Sequence, residues 1–206
     1  EDLRADRQPE FTQIDVEMSF IDEEDIYAIV EGLIVRIMKE ILGLDVQAPF
    51  KRIPYDEAIN KYGIDRPDLR YGLEISNISE IVKECDFKVF KDTVAAGNTV
   101  AGICATGCGK YSRKQLDDVI AWTIDQGAKG LVGIKVENGD LVGGLTKFFS
   151  EETRKNMIEE FGAKDGDLLL MVADENDKAL SLLGSLRQKI AQDEGLVKSD
   201  DYKLAW

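Results

Sequence analysis

Histidine is absent from this chain of 206 residues. Its absence removes every Ser-His-Asp and Cys-His nucleophilic arrangement, because each relies on an imidazole as the base. Cysteine is scarce, with three residues in all. A small odd number argues against a disulfide scaffold and for a reducing, cytoplasmic compartment. Cys104 and Cys108 form a C-x3-C pair, but without a second pair or any histidine a tetrahedral metal site is not completed. Ordinary thiols in a turn are the expected reading. No apolar run reaches the ~20 residues that a membrane-spanning helix needs, and no signal peptide opens the chain. Positive charge is in deficit too: 26 Lys and Arg against 40 Asp and Glu, a net charge of −14. Binding of DNA or RNA through a broad basic surface is thereby excluded, and any RNA contact has to be local.

What is present describes an ordinary globular protein, with 44% hydrophobic and 32% charged residues. The length suits one sizeable domain or two small ones. Asp22, followed by Glu23, Glu24 and Asp25, opens a helix whose apolar positions Ile26, Ile29, Val30, Leu33, Ile37 and Ile41 recur at helical spacing up to Gly43. That spacing predicts a core-facing amphipathic helix. Short pieces follow: a brief strand at 50–54, a helix at 55–62 stopped by Gly63, and a polar loop at 65–72 with two aspartates and two arginines. That loop reads either as a salt-bridged connector or as a substrate surface. A helix is expected at 75–84 and a strand at 87–90.

The second half alternates strands and helices. A strand is expected at 99–105, and Ser112 with Gln115 forms a capping box for a helix closed by Gly127. A hairpin is expected to turn across Asn138-Gly139-Asp140, since Asn-Gly favours the twist that hairpins require. Ser150 caps a further helix, 167–173 is an apolar strand, and a last helix covers about 176–194. The fold class is α+β.

The opening residues are the most informative. From Phe11 onward, Thr12, Ile14, Val16, Met18 and Phe20 alternate with Phe11, Gln13, Asp15, Glu17 and Ser19, the pattern of a strand with one core face. The other face sets an aromatic ring, an amide and two acids in a row, with Asp15 and Glu17 about 6.6 Å apart along an extended strand. A solvated sheet face is the plain explanation, and a hydrolase-type acid/base pair is another. Before it lies Asp2-Leu3-Arg4-Ala5-Asp6-Arg7-Gln8-Pro9, too polar for a core and rich in arginine.

This loop, with Glu10-Phe11-Thr12 and Gln13-Ile14-Asp15-Val16-Glu17, resembles the second signature motif of class II aminoacyl-tRNA synthetases, and of bacterial-type aspartyl-tRNA synthetase in particular. Further on, Ser112-Arg113-Lys114, Gly127-Ala128-Lys129-Gly130-Leu131, Ile134-Lys135-Val136 and Lys147-Phe148 resemble the GAD insertion domain of that family. Tyr202-Lys203-Leu204-Ala205-Trp206 is similar to the strand by which the family's chain re-enters its catalytic sheet. The resemblance implies a fragment, opening at Glu1 just after the motif 2 arginine. Residues 1–86 would be part of an antiparallel catalytic core, 87–197 the inserted α+β GAD domain, and 198–206 the return to the core.

The family's chemistry implies roles for particular residues. Asp15 matches the acid that pairs with the ammonium group of bound aspartate, with Gln13 beside it and Glu17 as a supporting acid. Phe11 matches the ring that stacks on adenine. Glu1 matches an acid near the adenine amino group, and Gln8 a loop contact to ATP. Arg4 and Arg7 match the loop that reaches the acceptor end of tRNA. No resident metal is implied; ATP with Mg²⁺ is the substrate complex, tRNA(Asp) and aspartate are the other substrates, and the parent enzyme is a homodimer. Without motif 1, motif 3 or the anticodon-binding barrel, the fragment itself is expected to be inactive. The alternative is a non-catalytic GAD-bearing RNA- or protein-binding module, such as a tRNA-amidation subunit. A phosphate loop at Gly102–Lys110 is rejected, because Gly107 is followed by Cys108 and Lys110 by Tyr111. Lys110, Lys114, Lys129, Lys135 and Lys147 read as solubilising groups more readily than as an RNA face.

Overall fold

A computed structural model describes residues 10–198 and 200–206. Contacts divide the chain into two compact units, one running up to Lys51 and including Trp206, the other Arg52–Ala205.

In the first unit, the helix α1 (Glu23–Leu42) begins where the acids and the capping box place it. The Asp22 side chain accepts the Glu24 N–H at 3.0 Å, and the Asp22 N–H donates to Asp25 at 3.1 Å. It ends at Gly43, whose left-handed φ of 69° lets its N–H return to Lys39 O. The buried positions of α1 are Glu31 and Met38, not the expected apolar stripe. Ile29, Leu33, Ile37 and Ile41 are all exposed, Ile41 by 73%.

The alternating run before α1 departs further from expectation. Residues 11–18 form no strand among the described residues, and Ile14 is 77% exposed and Phe20 fully so. A strand exists only through a ladder to a neighbour, and no described residue supplies one here. The pattern is intact while the core face it predicts is uncovered.

The second unit holds a five-stranded antiparallel sheet in the order β1-β2-β5-β3-β4. Its strands are β1 (Ile75–Asn77), β2 (Thr99–Ala105), β3 (Val132–Glu137), β4 (Asp140–Val142) and β5 (Leu168–Asp174). The central pair is in register from Thr99 opposite Asp174 to Ala105 opposite Leu168. The helices are α2 (Tyr55–Tyr62), α3 (Ser79–Val82), α4 (Lys88–Ala95), α5 (Arg113–Asp125), α6 (Glu151–Glu160) and α7 (Asn176–Asp193). The α+β class expected from the sequence is therefore what the structure has.

Side chains of β5 alternate between two cores. Leu168, Leu170 and Val172 join Ala101, Ile103 and the α7 residues Leu180, Leu183, Leu186 and Ile190. Leu169 and Met171 face the other way, onto Val82, Phe90, Ile134, Phe149 and Met157. A strand covered on both sides has no wet face, which is why β5 reads as an unbroken apolar run. At ~25 cal/mol per Å² of apolar surface, such fully buried Leu and Met side chains contribute about 1.5–3 kcal/mol each before entropy is counted.

Local signals set the connections. The β3–β4 turn has Asn138 and Gly139 at φ 54° and 75°, the pair of left-handed residues that a tight hairpin requires. Ser112 and Gln115 form the predicted capping box of α5. Three short segments differ from expectation: 50–54 holds only a single bridge residue, Lys51, where a strand was expected, and two others change type. Residues 75–77 are a strand leading into the one-turn helix α3, and Lys88–Ala95 is a helix where 87–90 was expected as a strand. Phe87 and Phe90 meet edge to face, with ring centroids 4.9 Å apart, a pairing of neighbouring turns that a strand would have split across two faces.

Candidate functional site

Of the residues that carry the proposed chemistry, Glu1, Arg4, Arg7 and Gln8 lie outside the described residues. Phe11, Gln13, Asp15 and Glu17 are described, and all are exposed, Phe11 by 70%. They occupy alternate positions of one unladdered segment, in the order in which the chemistry was read. None of them lines a described cleft.

In the same unit, the Glu31 carboxylate is 5% exposed and accepts two hydrogen bonds on Oε1. The Phe50 N–H donates at 3.1 Å and the Trp206 indole N–H at 2.9 Å. Trp206 also tilts against Tyr27 at 4.7 Å between ring centroids, and its backbone N–H donates to Lys51 O. A buried acid on α1 thus ties the chain's last residue to the segment after the helix. The sequence reading did not single out Glu31; its only signal was an acid between the apolar positions Val30 and Ile34.

In the Arg52–Ala205 unit, the Gly-rich turn is occupied by the protein's own acid. Asp167 accepts the Gly107 N–H at 2.8 Å and the Lys164 N–H at 2.9 Å. An amide already bonded to a carboxylate is not open to phosphate, which agrees with rejecting a phosphate loop. Cys104 Sγ lies 3.5 Å from Asp167 Oδ2, and burial, with that negative neighbour, pushes its thiol up to about 12. Burial likewise raises the Cys108 thiol. Both are protonated, poorly nucleophilic thiols at neutral pH. Among the described residues no group of His, Cys, Asp or Glu is arranged to hold a metal ion.

Several lysines weighed as an RNA face are engaged within the fold. Lys110 pairs with Glu194 at 2.7 Å and Lys129 with Asp174 at 2.9 Å, while Lys135 Nζ donates to Tyr111 O at 2.8 Å. Lys147 lies over the Phe148 ring at 5.1 Å. Asp174, 2% exposed, is held by Lys129 and by Lys178, whose Nζ is an ion-pair neighbour of Oδ2 at 2.9 Å. Burial alone would raise this carboxyl; the two lysines and the Glu175 N–H outweigh it and hold it below the usual range.

The 65–72 loop is a salt-bridged element in the structure. Asp68 and Arg70 form a forked pair at 2.9 and 2.6 Å, and Arg70 holds the Asp68 carboxyl below its ordinary value against the opposing effect of burial. Together with Tyr71, Gln188 and Gln192 they wall a cleft of about 410 Å³.

Two regions of unlike completeness, an exposed acid-bearing segment and a finished sheet unit, are thus parts of one chain. Residues 1–205 match the family model described as tRNA synthetases class II (D, K and N). The chain belongs to that family. Over its whole length it is 47% identical to an aspartate–tRNA ligase of Clostridium perfringens and 46% identical to one of Halalkalibacterium halodurans. It is 50% identical to an aspartate–tRNA(Asp/Asn) ligase of Thermodesulfovibrio yellowstonii. The chain spans about a third of the length of these relatives, 35% of the first and 34% of the last. The class II match includes both the Phe11–Glu17 segment and the five-stranded unit. Similar identity to relatives of both names means that overall likeness in this segment does not separate the two tRNA specificities.

Proposed function

We propose that the chain is part of an aspartate–tRNA ligase and carries one wall of its aminoacyl-adenylate site. The observation that carries this reading is the end-to-end match, at 46–50% identity, to relatives of that name. The exposed Phe11–Glu17 segment agrees with it, since a substrate wall cannot be buried in the protein's own core.

In the proposed reaction a carboxylate oxygen of aspartate attacks the α-phosphorus of ATP in line. One P–O bond forms, the bond to the β-phosphate oxygen breaks, and pyrophosphate leaves with that electron pair. The ribose hydroxyl at the end of tRNA then attacks the activated carbonyl, and AMP departs. Little covalent chemistry falls to the protein, whose task is to place both substrates and stabilise charge. Asp15 holds the aspartate ammonium group, with Gln13 and Glu17 beside it. Phe11 stacks on adenine, Glu1 and Gln8 contact ATP, which enters with Mg²⁺, and Arg4 and Arg7 meet the acceptor end, where guanidinium forks suit phosphates and guanine edges. The parent enzyme works as a cytoplasmic homodimer. Residues 1–86 and 198–206 belong to its catalytic core and 87–197 to the GAD insertion.

The test is aspartate-dependent ATP–pyrophosphate exchange by the full-length protein. Exchange with aspartate is expected, and Asp15→Ala is expected to reduce it by about a hundredfold or more, as for loss of a charge-assisted contact in a dry site. The 206-residue chain alone is expected to show none. No exchange by the full-length protein, or exchange with another amino acid, would sink the reading. A free-standing RNA-binding module is not favoured: it would bind tRNA tightly and with steep salt dependence, which this chain's charge of −14 opposes.

A further inference from the structure

Arg187 stands in the middle of α7, on the stripe formed by Leu180, Leu183, Leu186 and Ile190. It is 1% exposed. A buried charge is costly unless it is paired, and the usual partner is a carboxylate. Here the hydrogen bonds of the guanidinium, among the described residues, go to backbone carbonyls. Nε–H donates to Leu73 O at 2.7 Å and Nη2 to Gly72 O at 2.6 Å. Longer contacts run from Nη2 to Asp68 O and from Nη1 to Tyr62 O, each 3.4 Å. The rings of Tyr62 and Tyr71 lie 4.8 and 5.1 Å from Cζ, within cation–π range.

Every one of these partners belongs to a single segment, the end of α2 and the loop into β1. That loop has little structure of its own: the Arg70 N–H turns back to Asp68 Oδ1 at 3.0 Å, and no helix or strand falls between α2 and β1. The backbone of its first residue also lies against α7. A Cβ on Gly63 would come within 2.1 Å of Leu180 O and 2.8 Å of Gly184 Cα, so both glycines are needed for the approach.

We infer that Arg187 is a positioning residue, through which α7 imposes the conformation of residues 62–73 and of the Asp68–Arg70 pair that this loop presents at its cleft. A planar fork with donors in fixed directions can gather several carbonyls at once, which an ammonium group cannot do. The last helix of the module is thus a template for a loop far earlier in the chain. The inference is independent of the ligase reading.

Native-state trypsin cleavage tests it, because Arg70–Tyr71 lies inside the braced loop while Arg66 is shielded by Pro67. In this chain, Arg187→Met is expected to speed cleavage after Arg70 by roughly tenfold or more, the equivalent of one charge-assisted hydrogen bond. Amide exchange in β2 and β5 is expected to stay unchanged. Arg187→Lys is expected not to restore resistance, and Tyr71→Leu, which keeps the guanidinium and all its carbonyls, to give an intermediate rate. In the unmodified chain the Arg187 Nε–H should give a slowly exchanging NMR resonance. Cleavage of Arg187→Met no faster than the unmodified chain, full resistance in Arg187→Lys, or an Nε–H that exchanges like that of a surface arginine would each overturn the inference. If Arg187→Met also loosens β2 and β5, the Nε–H signal and Arg187→Lys decide.

Discussion

Strand β5, apolar at six of its seven positions, and the Phe11–Phe20 run, apolar at five of ten, end in opposite environments. Leu168, Leu169, Leu170 and Met171 are wholly buried, because β2 and β3 complete their ladder and helices cover both faces. Ile14, Val16 and Met18 alternate cleanly with polar residues, yet are 77, 56 and 41% exposed. Periodicity decides which side chains share a face. Whether that face is buried depends on partners that the run does not contain. The same contrast separates α7, whose stripe is covered, from α1, whose Ile29, Leu33, Ile37 and Ile41 are not.

The sharpest way to break this comparison is to truncate one residue in each region. Leu170→Ala is expected to cost about 2–5 kcal/mol in urea unfolding, and Ile14→Ala about 0.5 kcal/mol or less. Equal losses would mean that the Phe11–Phe20 run is as well covered in solution as β5.

Acid should act through the second region. Asp68, Asp140, Asp174 and Glu194 are all held below their ordinary values: Asp68 by Arg70, Asp140 by Arg154, Asp174 by its two lysines against burial, and Glu194 by Lys110. A carboxyl lowered on folding stabilises the protein above its unfolded pKa of ~4, and that contribution is lost as pH falls through the folded value. Stability of the Arg52–Ala205 unit should therefore be level near neutrality and decline below about pH 4, with a shallower acid limb in Asp174→Asn. An unchanged acid limb in that variant would show that the buried carboxylate is not what the limb reports.

The smallest effect compares like with like, because each region has one helix opened by a capping box, at Asp22 and at Ser112. Replacing either residue by Ala is expected to cost about 1 kcal/mol. The loss should appear as fraying of α1 in Asp22→Ala, measured by amide exchange in its first turn, and as a shift of the whole cooperative transition in Ser112→Ala. A whole-molecule shift in both would indicate that α1 is tied to tertiary packing as firmly as α5.

Much of the fold was legible because its signals are local. The caps at Asp22, Ser112 and Ser150, the stop at Gly63 and the Asn138-Gly139 hairpin each act over a few residues, and each is present in the structure. The segments misread were the Phe11–Phe20 run, which has no ladder among the described residues, and short pieces at 50–54, 75–77 and 88–95. Residues 75–77 become a strand only by pairing with Ala101, Gly102 and Ile103, and 88–95 a helix by burying Phe90 beneath the sheet. The acids and aromatic of the candidate site were visible as the polar half of an alternating pattern. Arg187 was not, although its place on the apolar stripe of α7 was a usable signal: a charge where the period calls for a hydrophobe must find partners, and the pattern does not say which.

From its residues alone, the chain determined its α+β class, most helix ends, its tight turn, its acidity and its likeness to class II synthetases, since composition and short-range sterics suffice for these. Packing in three dimensions decided that β2 and β5 are central, that an arginine takes carbonyls from residues more than a hundred positions away, and that the apolar side of the opening run is bare. Those outcomes depend on which distant groups arrive to satisfy a hydrogen bond or cover a surface, and no stretch of sequence contains its own partner.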